Sequence, residues 1–424
     1  MLFIARLLAS RRLSAVLQPT TDINTQNFRY LYIEIAFAAI LGAIVTFHSA
    51  FAVRLGASKE LVALLGSIPA LVSAVFSIPS ARFLRHRKDQ RRWIFGSLMA
   101  LRVGSGLIAL IPLLFPTNTA VVFTAWVILL ALPTILFTNG FQAMLADIIP
   151  EVHRAKVFST RQIIWSAGFV ITSAVAGVWL DNITFPINYQ LMYVFGFVVA
   201  LGSQYYLNKL VLPPMNSGFL TTTDLPVPSK AKLSQPIRRM LFNLGVYVFG
   251  LTLPGGLFTI YYIEYLGASD TWLGVNTAAG FTGVIVGNML WSRLYRNHTY
   301  TWGIRRAALL TWIFPVSLAL FPNLTVIVFA NFVVNLIHPG VELSHLNIML
   351  KLAGQEHRTE IMSWYNTVLN LCMFAAPLVG VVIAQQFEVG LTGIAVAMLA
   401  SGLLRFTGGV LFTMNPVQED ERIR

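Results

Sequence analysis

GASKELVALLGSIPALVSAVFSIPSARFLRH, residues 56–86, aligns without a gap on GASDTWLGVNTAAGFTGVIVGNMLWSRLYRN, residues 267–297. Gly-Ala-Ser opens both copies, and Arg82 and Arg85 near the end of the first match Arg293 and Arg296 in the second. The apolar run between them is long enough for a membrane helix, which needs about 20 residues, and too long for a strand. A second pair, EVHRAKVFS at 151–159 and QEHRTEIMS at 355–363, joins the fourth span of each half to its fifth. Identities are few, but they fall at corresponding places in the two halves. Duplicated membrane halves point to an alternating-access carrier with its site between them near the midplane.

Composition agrees. The chain of 424 residues is 56% hydrophobic and only 11% charged, with a mean hydropathy of +0.70, too apolar for a soluble protein of this size. Cutting it at charge clusters and Pro/Asn/Gly turns predicts twelve membrane helices: 28–53, 60–81, 93–115, 119–146, 162–180, 189–212, 240–263, 271–291, 307–321, 324–349, 361–386 and 390–414. The expected fold is all-α, with a six-helix bundle over 28–212, a linker over 213–239, a second bundle over 240–414 and a tail over 415–424. Residues 1–27 read as an amphipathic helix lying on the inner leaflet or as a disordered tail. The linker PPMNSGFLTTTDLPVPSKAKLSQPIRR is rich in proline, serine and threonine and reads as an extended tether.

The net charge of +13 could suggest a nucleic-acid partner, but the distribution of the basic residues excludes it. With the N-terminus in the cytoplasm, 26 of the 30 lysines and arginines fall on the inner side, Arg54 and Lys59 lie outside, and Arg102 and Arg405 lie within spans. This is the positive-inside asymmetry of a multi-pass protein with both termini cytoplasmic.

Two stretches carry a family resemblance. SARFLRHRKDQRR, residues 80–92, follows the second span, and ADIIPEVHRAKVFSTRQ, residues 146–162, follows the fourth. With twelve spans as six plus six and a long central linker, the chain resembles the major facilitator superfamily of secondary transporters. That family's loop after the second span reads approximately Gly-x-x-x-Asp-Arg-x-Gly-Arg-Arg; here Arg85 matches, while Ser80, Leu84 and Arg87 stand at the first glycine, the acid and the second glycine. The second stretch is similar to the family's Asp-x-x-Pro-x-x-x-Arg. The resemblance implies a cytoplasmic gate in which Asp147 pairs with Arg154, Arg161 or the basic loop containing Arg85. The alternative is ordinary interfacial charge that fixes orientation.

In the tenth span, Asn331, Asn335, His338, Glu342 and His345 are spaced by 4, 3, 4 and 3 residues and share one helix face. Each ionisable group facing lipid at mid-bilayer costs roughly 2.5–3.5 kcal/mol, so this face must line a cavity or meet another helix. Pro339-Gly340 in its midst lets the helix bend, a break tolerated where the backbone faces water. Glu342 between two histidines is a candidate proton site, with the histidines and asparagines contacting substrate. A satisfied interhelical hydrogen-bond network is the competing reading. A metal site has less support, because His345 lies two turns from His338.

Arg102 and Arg405 at mid-depth would neutralise an anionic solute or serve structure; the resemblance adds that an arginine in the third span is familiar. Asn366 and Asn370 in the eleventh span would face the same cavity, and Glu34 would snorkel to the inner interface. No GxxxxGK[ST] nucleotide loop is present. The expectation is a monomeric secondary active transporter of a small polar, plausibly anionic, solute, coupled to protons, needing no cofactor and no metal. Drug efflux, lipid scrambling and, with least support, an intramembrane enzyme are the alternatives.

Overall fold

The computed structural model describes residues 23–87, 89–211, 233–353, 358–387 and 391–414. The N-terminal segment, most of the linker and the tail therefore lie outside the described residues. The described chain is helical: α1 (Ile23–Arg54), α2 (Lys59–Arg85), α3 (Gln90–Leu114), α4 (Thr119–Leu129 running on as Ala131–Ile148), α5 (Glu151–Asn182), α6 (Ile187–Asn208), α7 (Gln235–Tyr265), α8 (Asp270–Leu294), α9 (Tyr300–Leu320), α10 (Leu324–Ala353), α11 (Arg358–Gln386) and α12 (Leu391–Met414).

Eleven of these stretches are long and apolar enough to cross a membrane. The other, α6, is 22 residues long and carries Asn188, Tyr189, Tyr193, Ser203 and Gln204, all buried. These polar groups face protein, so they do not prevent an otherwise apolar helix from standing among the spans. Several helix starts precede the expected ones, among them α1 at Ile23 rather than 28 and α9 at Tyr300 rather than 307. Helix α7 starts at Gln235 rather than 240, with Pro236 in its first turn, where a missing N–H costs nothing. The segment 151–159, expected as a connection, is the first part of α5, which opens directly after Pro150.

The repeat at 56 and 267 has a physical basis. Gly56 and Gly267 have φ values of 80° and 63°, the positive φ values among the described residues. Each sits just past a helix end, where a left-handed residue lets the following amide turn back: Ala57 N–H bonds the Ala52 carbonyl, and Ala268 N–H bonds the Tyr262 carbonyl. Two residues on, the hydroxyls of Ser58 and Ser269 accept the backbone N–H of Leu61 and Trp272, capping α2 and α8. Gly-Ala-Ser thus ends one helix and starts the next within three residues.

The halves meet along two seams, α5 against α8 and α11 against α2. At the first, backbones touch. A Cβ on Gly274 would lie 2.3 Å from the Ser173 carbonyl oxygen, and one on Gly177 would lie 2.5 Å from the Asp270 carbonyl oxygen. Only glycine permits that approach. Within the second half, Gly283 and Gly287 do the same for α8 against α10, each 2.5 Å from a backbone carbonyl, of Phe332 and Leu336 respectively.

Candidate functional site

Among the described residues, the hydrogen bonds that join the halves gather at the end carrying Gly56 and Gly267, around Asp270. This carboxylate is 3% exposed. It accepts from Arg54 Nε at 3.0–3.1 Å and from the Tyr189 hydroxyl at 2.7 Å, both in the first half. Asp181, at the end of α5, accepts the backbone N–H groups of Asp270 and Thr271 at 2.8 and 2.7 Å. A carboxylate from one half thereby satisfies the open amides, and complements the dipole, at the N-terminus of a helix in the other. On the other seam Gln385 donates to Glu60.

This arrangement is itself duplicated. The offset of 204 residues that carries Glu151 to Gln355 also carries Asp181 to Gln385, and the offset of 211 that carries Gly56 to Gly267 carries Glu60 to Thr271. The two bonds are pseudo-symmetry mates with the roles exchanged: Asp181 accepts from a backbone amide, whereas Gln385 donates its side-chain amide to a carboxylate. Sequence reasoning missed Asp181, Tyr189 and Asp270, and counted Arg54 only as a loop charge. The available signal was an acid beside each Gly-Ala-Ser, Glu60 and Asp270, at a predicted helix start.

The expected gate residues lie elsewhere. The side chains of Asp147 and Arg85 are outside the described residues. Arg154 Nε donates to the Ile149 carbonyl at 3.0 Å. Arg161 is buried inside the first half, donating to Glu34 at 2.9 Å and to the Leu31 carbonyl at 2.7 Å. Glu34 does not snorkel: it is 3% exposed and also accepts from Ser203. Arg102 extends the network, donating to Ser203 at 2.6 Å and Gln204 at 2.8 Å. The reason is energetic: a buried carboxylate is tolerable when paired and fully hydrogen-bonded, and two neighbouring helices supply that. Arg405 points its N–H groups at the carbonyls of Gly250, Leu251 and Thr311, 3.1–3.4 Å away. Both arginines at mid-depth are thus engaged by protein.

The tenth-helix stripe divides. Asn331 donates to the backbone and side-chain oxygens of Asn276 on α8, and Asn335 donates to those of Asn331. These two form an interhelical network. Around Pro339, α8 serves the backbone: Trp291 donates to the Leu336 carbonyl at 3.1 Å and Tyr295 to the Gly340 carbonyl at 2.6 Å. Aromatic donors thus meet backbone carbonyls on both sides of Pro339. His345 Nδ1 and the Tyr365 hydroxyl of α11 are 2.8 Å apart. His338 Nδ1 is 3.8 Å from Glu342, whose side chain is 64% exposed. On α11, the Asn370 amide donates to the Asn366 carbonyl; no bond from either to the stripe is among those of the described residues.

Pseudo-symmetry places His345 and Tyr365 opposite Phe141 and Arg161, again at an offset of 204. The pairing survives while its chemistry changes, since the Arg161 guanidinium lies over the Phe141 ring at 5.7 Å. The first half therefore holds a locked ion-pair network where the second holds a histidine, a phenol and an exposed acid.

The model of the Major Facilitator Superfamily matches residues 30–249, just over half of the chain. No curated protein matches in sequence. Among solved structures, a bacterial homologue of the human lysosomal transporter Spinster, inward-facing and unoccupied, superposes with a TM-score of 0.67 at 11% identity, covering 94% of this chain and 98% of that one. A bacterial homologue of the iron transporter ferroportin, also inward-facing, gives 0.69 at 12%, covering 94% and 99%. The nucleoside transporter NupG gives 0.67 at 12%, covering 94% and 100%. With the duplicated six-helix halves, the match to the family model carries the conclusion that this chain belongs to the major facilitator superfamily.

Proposed function

We propose that the protein is a secondary active transporter that moves a small polar solute by alternating access, with Glu342 as the proton-coupling carboxylate. The observation that carries this reading is the gathering of cross-half bonds at the Gly56/Gly267 end, around Asp270, combined with a carboxylate 64% exposed in the middle of a membrane helix. An acid so placed is too costly against lipid, so the space before it is an aqueous chamber between the halves. The lysine and arginine distribution supports a reading with the closed end outside and both termini inside, that is, an inward-facing state. Inward-facing relatives of the same fold are consistent with it. Transport follows when the Asp270 contacts part and the halves rock about the α5–α8 and α2–α11 seams.

Glu342 suits coupling because protonation removes a charge that the chamber must otherwise solvate, so each protonation state favours a different arrangement of the halves. In proteoliposomes, tracer flux over a panel of small polar solutes is expected to accelerate with an imposed pH gradient. Glu342→Gln should remove that acceleration. A pH response unchanged in Glu342→Gln would end the coupling assignment.

A further inference from the structure

Among the described residues, the charged groups at mid-depth fall into those held by protein and one that is displayed. Arg102, Arg161, Arg405 and Glu34 are each 7% exposed or less, and each guanidinium already donates to fixed oxygens: Gln204 and Ser203, Glu34 and Leu31, or three backbone carbonyls. Recognition of an anion by contact requires donors that can still point at it, and a guanidinium spent on carbonyls offers no free fork. The amides of Asn331 and Asn335 are likewise spent on α8 and on each other. Glu342 is the opposite case. It exposes most of its side chain, and His338 at 3.8 Å is beyond hydrogen-bond length. The neighbouring Tyr365 hydroxyl is occupied by His345.

We infer that the chamber takes a cationic solute, a protonated amine or quaternary ammonium, whose charge rests against the Glu342 carboxylate. The inference builds on the proposed chamber and reverses the sign that Arg102 and Arg405 suggest from sequence. The buried arginines contribute a positive field from a distance. Attraction at contact falls off steeply with separation in a wet cavity, so the displayed acid sets the sign within a few ångströms of itself. A proton and the cation then compete for one carboxylate.

Leu346 is 39% exposed and one turn beyond Glu342 on the same face. Leu346→Cys in a Cys372→Ala background, reconstituted in vesicles, reports the local potential. Its reaction rates with cationic trimethylammonium-ethyl and anionic sulfonatoethyl methanethiosulfonate are each divided by the rate with free cysteine. The cationic reagent is expected to be favoured by about tenfold, the enrichment a focused potential produces. The preference should fall towards unity with Glu342→Gln and persist with Glu342→Asp. Faster anionic reaction, or a preference indifferent to Glu342→Gln, overturns the inference and leaves the chamber standing. If neither reagent reaches Leu346→Cys from either side of the bilayer, the chamber is absent and the proposed function fails with it.

Discussion

Glu34 and Glu342 are the same residue type within membrane helices, and their surroundings give them opposite roles. Glu34 is sealed between Arg161 and Ser203, so its loss leaves a buried guanidinium without its charge partner. Breaking one side of a buried pair costs about 3–5 kcal/mol. Glu34→Ala should therefore lower the thermal unfolding midpoint in detergent sharply. Glu342→Ala leaves no buried group unpaired and should change stability by no more than about 0.5 kcal/mol, while still abolishing the pH response of transport. Arg405 makes a parallel case. Its planar head serves three carbonyls at once, which a lysine ammonium on a flexible stem does not reproduce. Arg405→Lys should destabilise by about 1–3 kcal/mol through unsatisfied carbonyls, read in the same unfolding assay, although net charge is unchanged.

At the level of elements, the α5–α8 seam depends on having no side chain where backbones meet. A methyl at Gly274 would sit 2.3 Å from the Ser173 carbonyl oxygen, and backbone cannot rotate out of its way as a side chain could. Gly274→Ala should force the two helices apart and favour opening at that end. Spin labels at the exposed Thr184 and Glu264, one on each half, should show the lengthened distance directly. At Gly280 the neighbouring atom is the Asn331 side-chain amide at 3.0 Å, which can shift, so Gly280→Ala should leave the label distance unchanged.

For the whole molecule, the two pseudo-symmetric clasps differ in strength. Asp181 places a full charge on the first amides of α8, whereas Gln385 meets Glu60 at an exposed position. A side-chain cap of this kind is worth about 0.5–2 kcal/mol, and 1.4 kcal/mol is a tenfold change in an equilibrium. Asp181→Ala should accordingly move the label-pair distribution towards the open form by roughly that factor. Gln385→Ala should move it little. An equal response to both would mean that the seams, rather than the clasps, hold this end shut.

The sequence by itself determined the membrane helices, the duplication, the glycine and serine that turn one helix into the next, and the polar face of α10. Each of these is written in the spacing of residues along one helix or at its ends. The tertiary structure decided which charged groups find each other. Glu34 and Arg161 are 127 residues apart and Arg54 and Asp270 are 216 apart, so no local pattern announces either pair. It likewise divided the stripe, turning Asn331 and Asn335 to α8 and leaving Glu342 displayed. Periodicity reports that a face is polar; what that face meets depends on which helix packs beside it, and packing is settled only when the whole bundle closes.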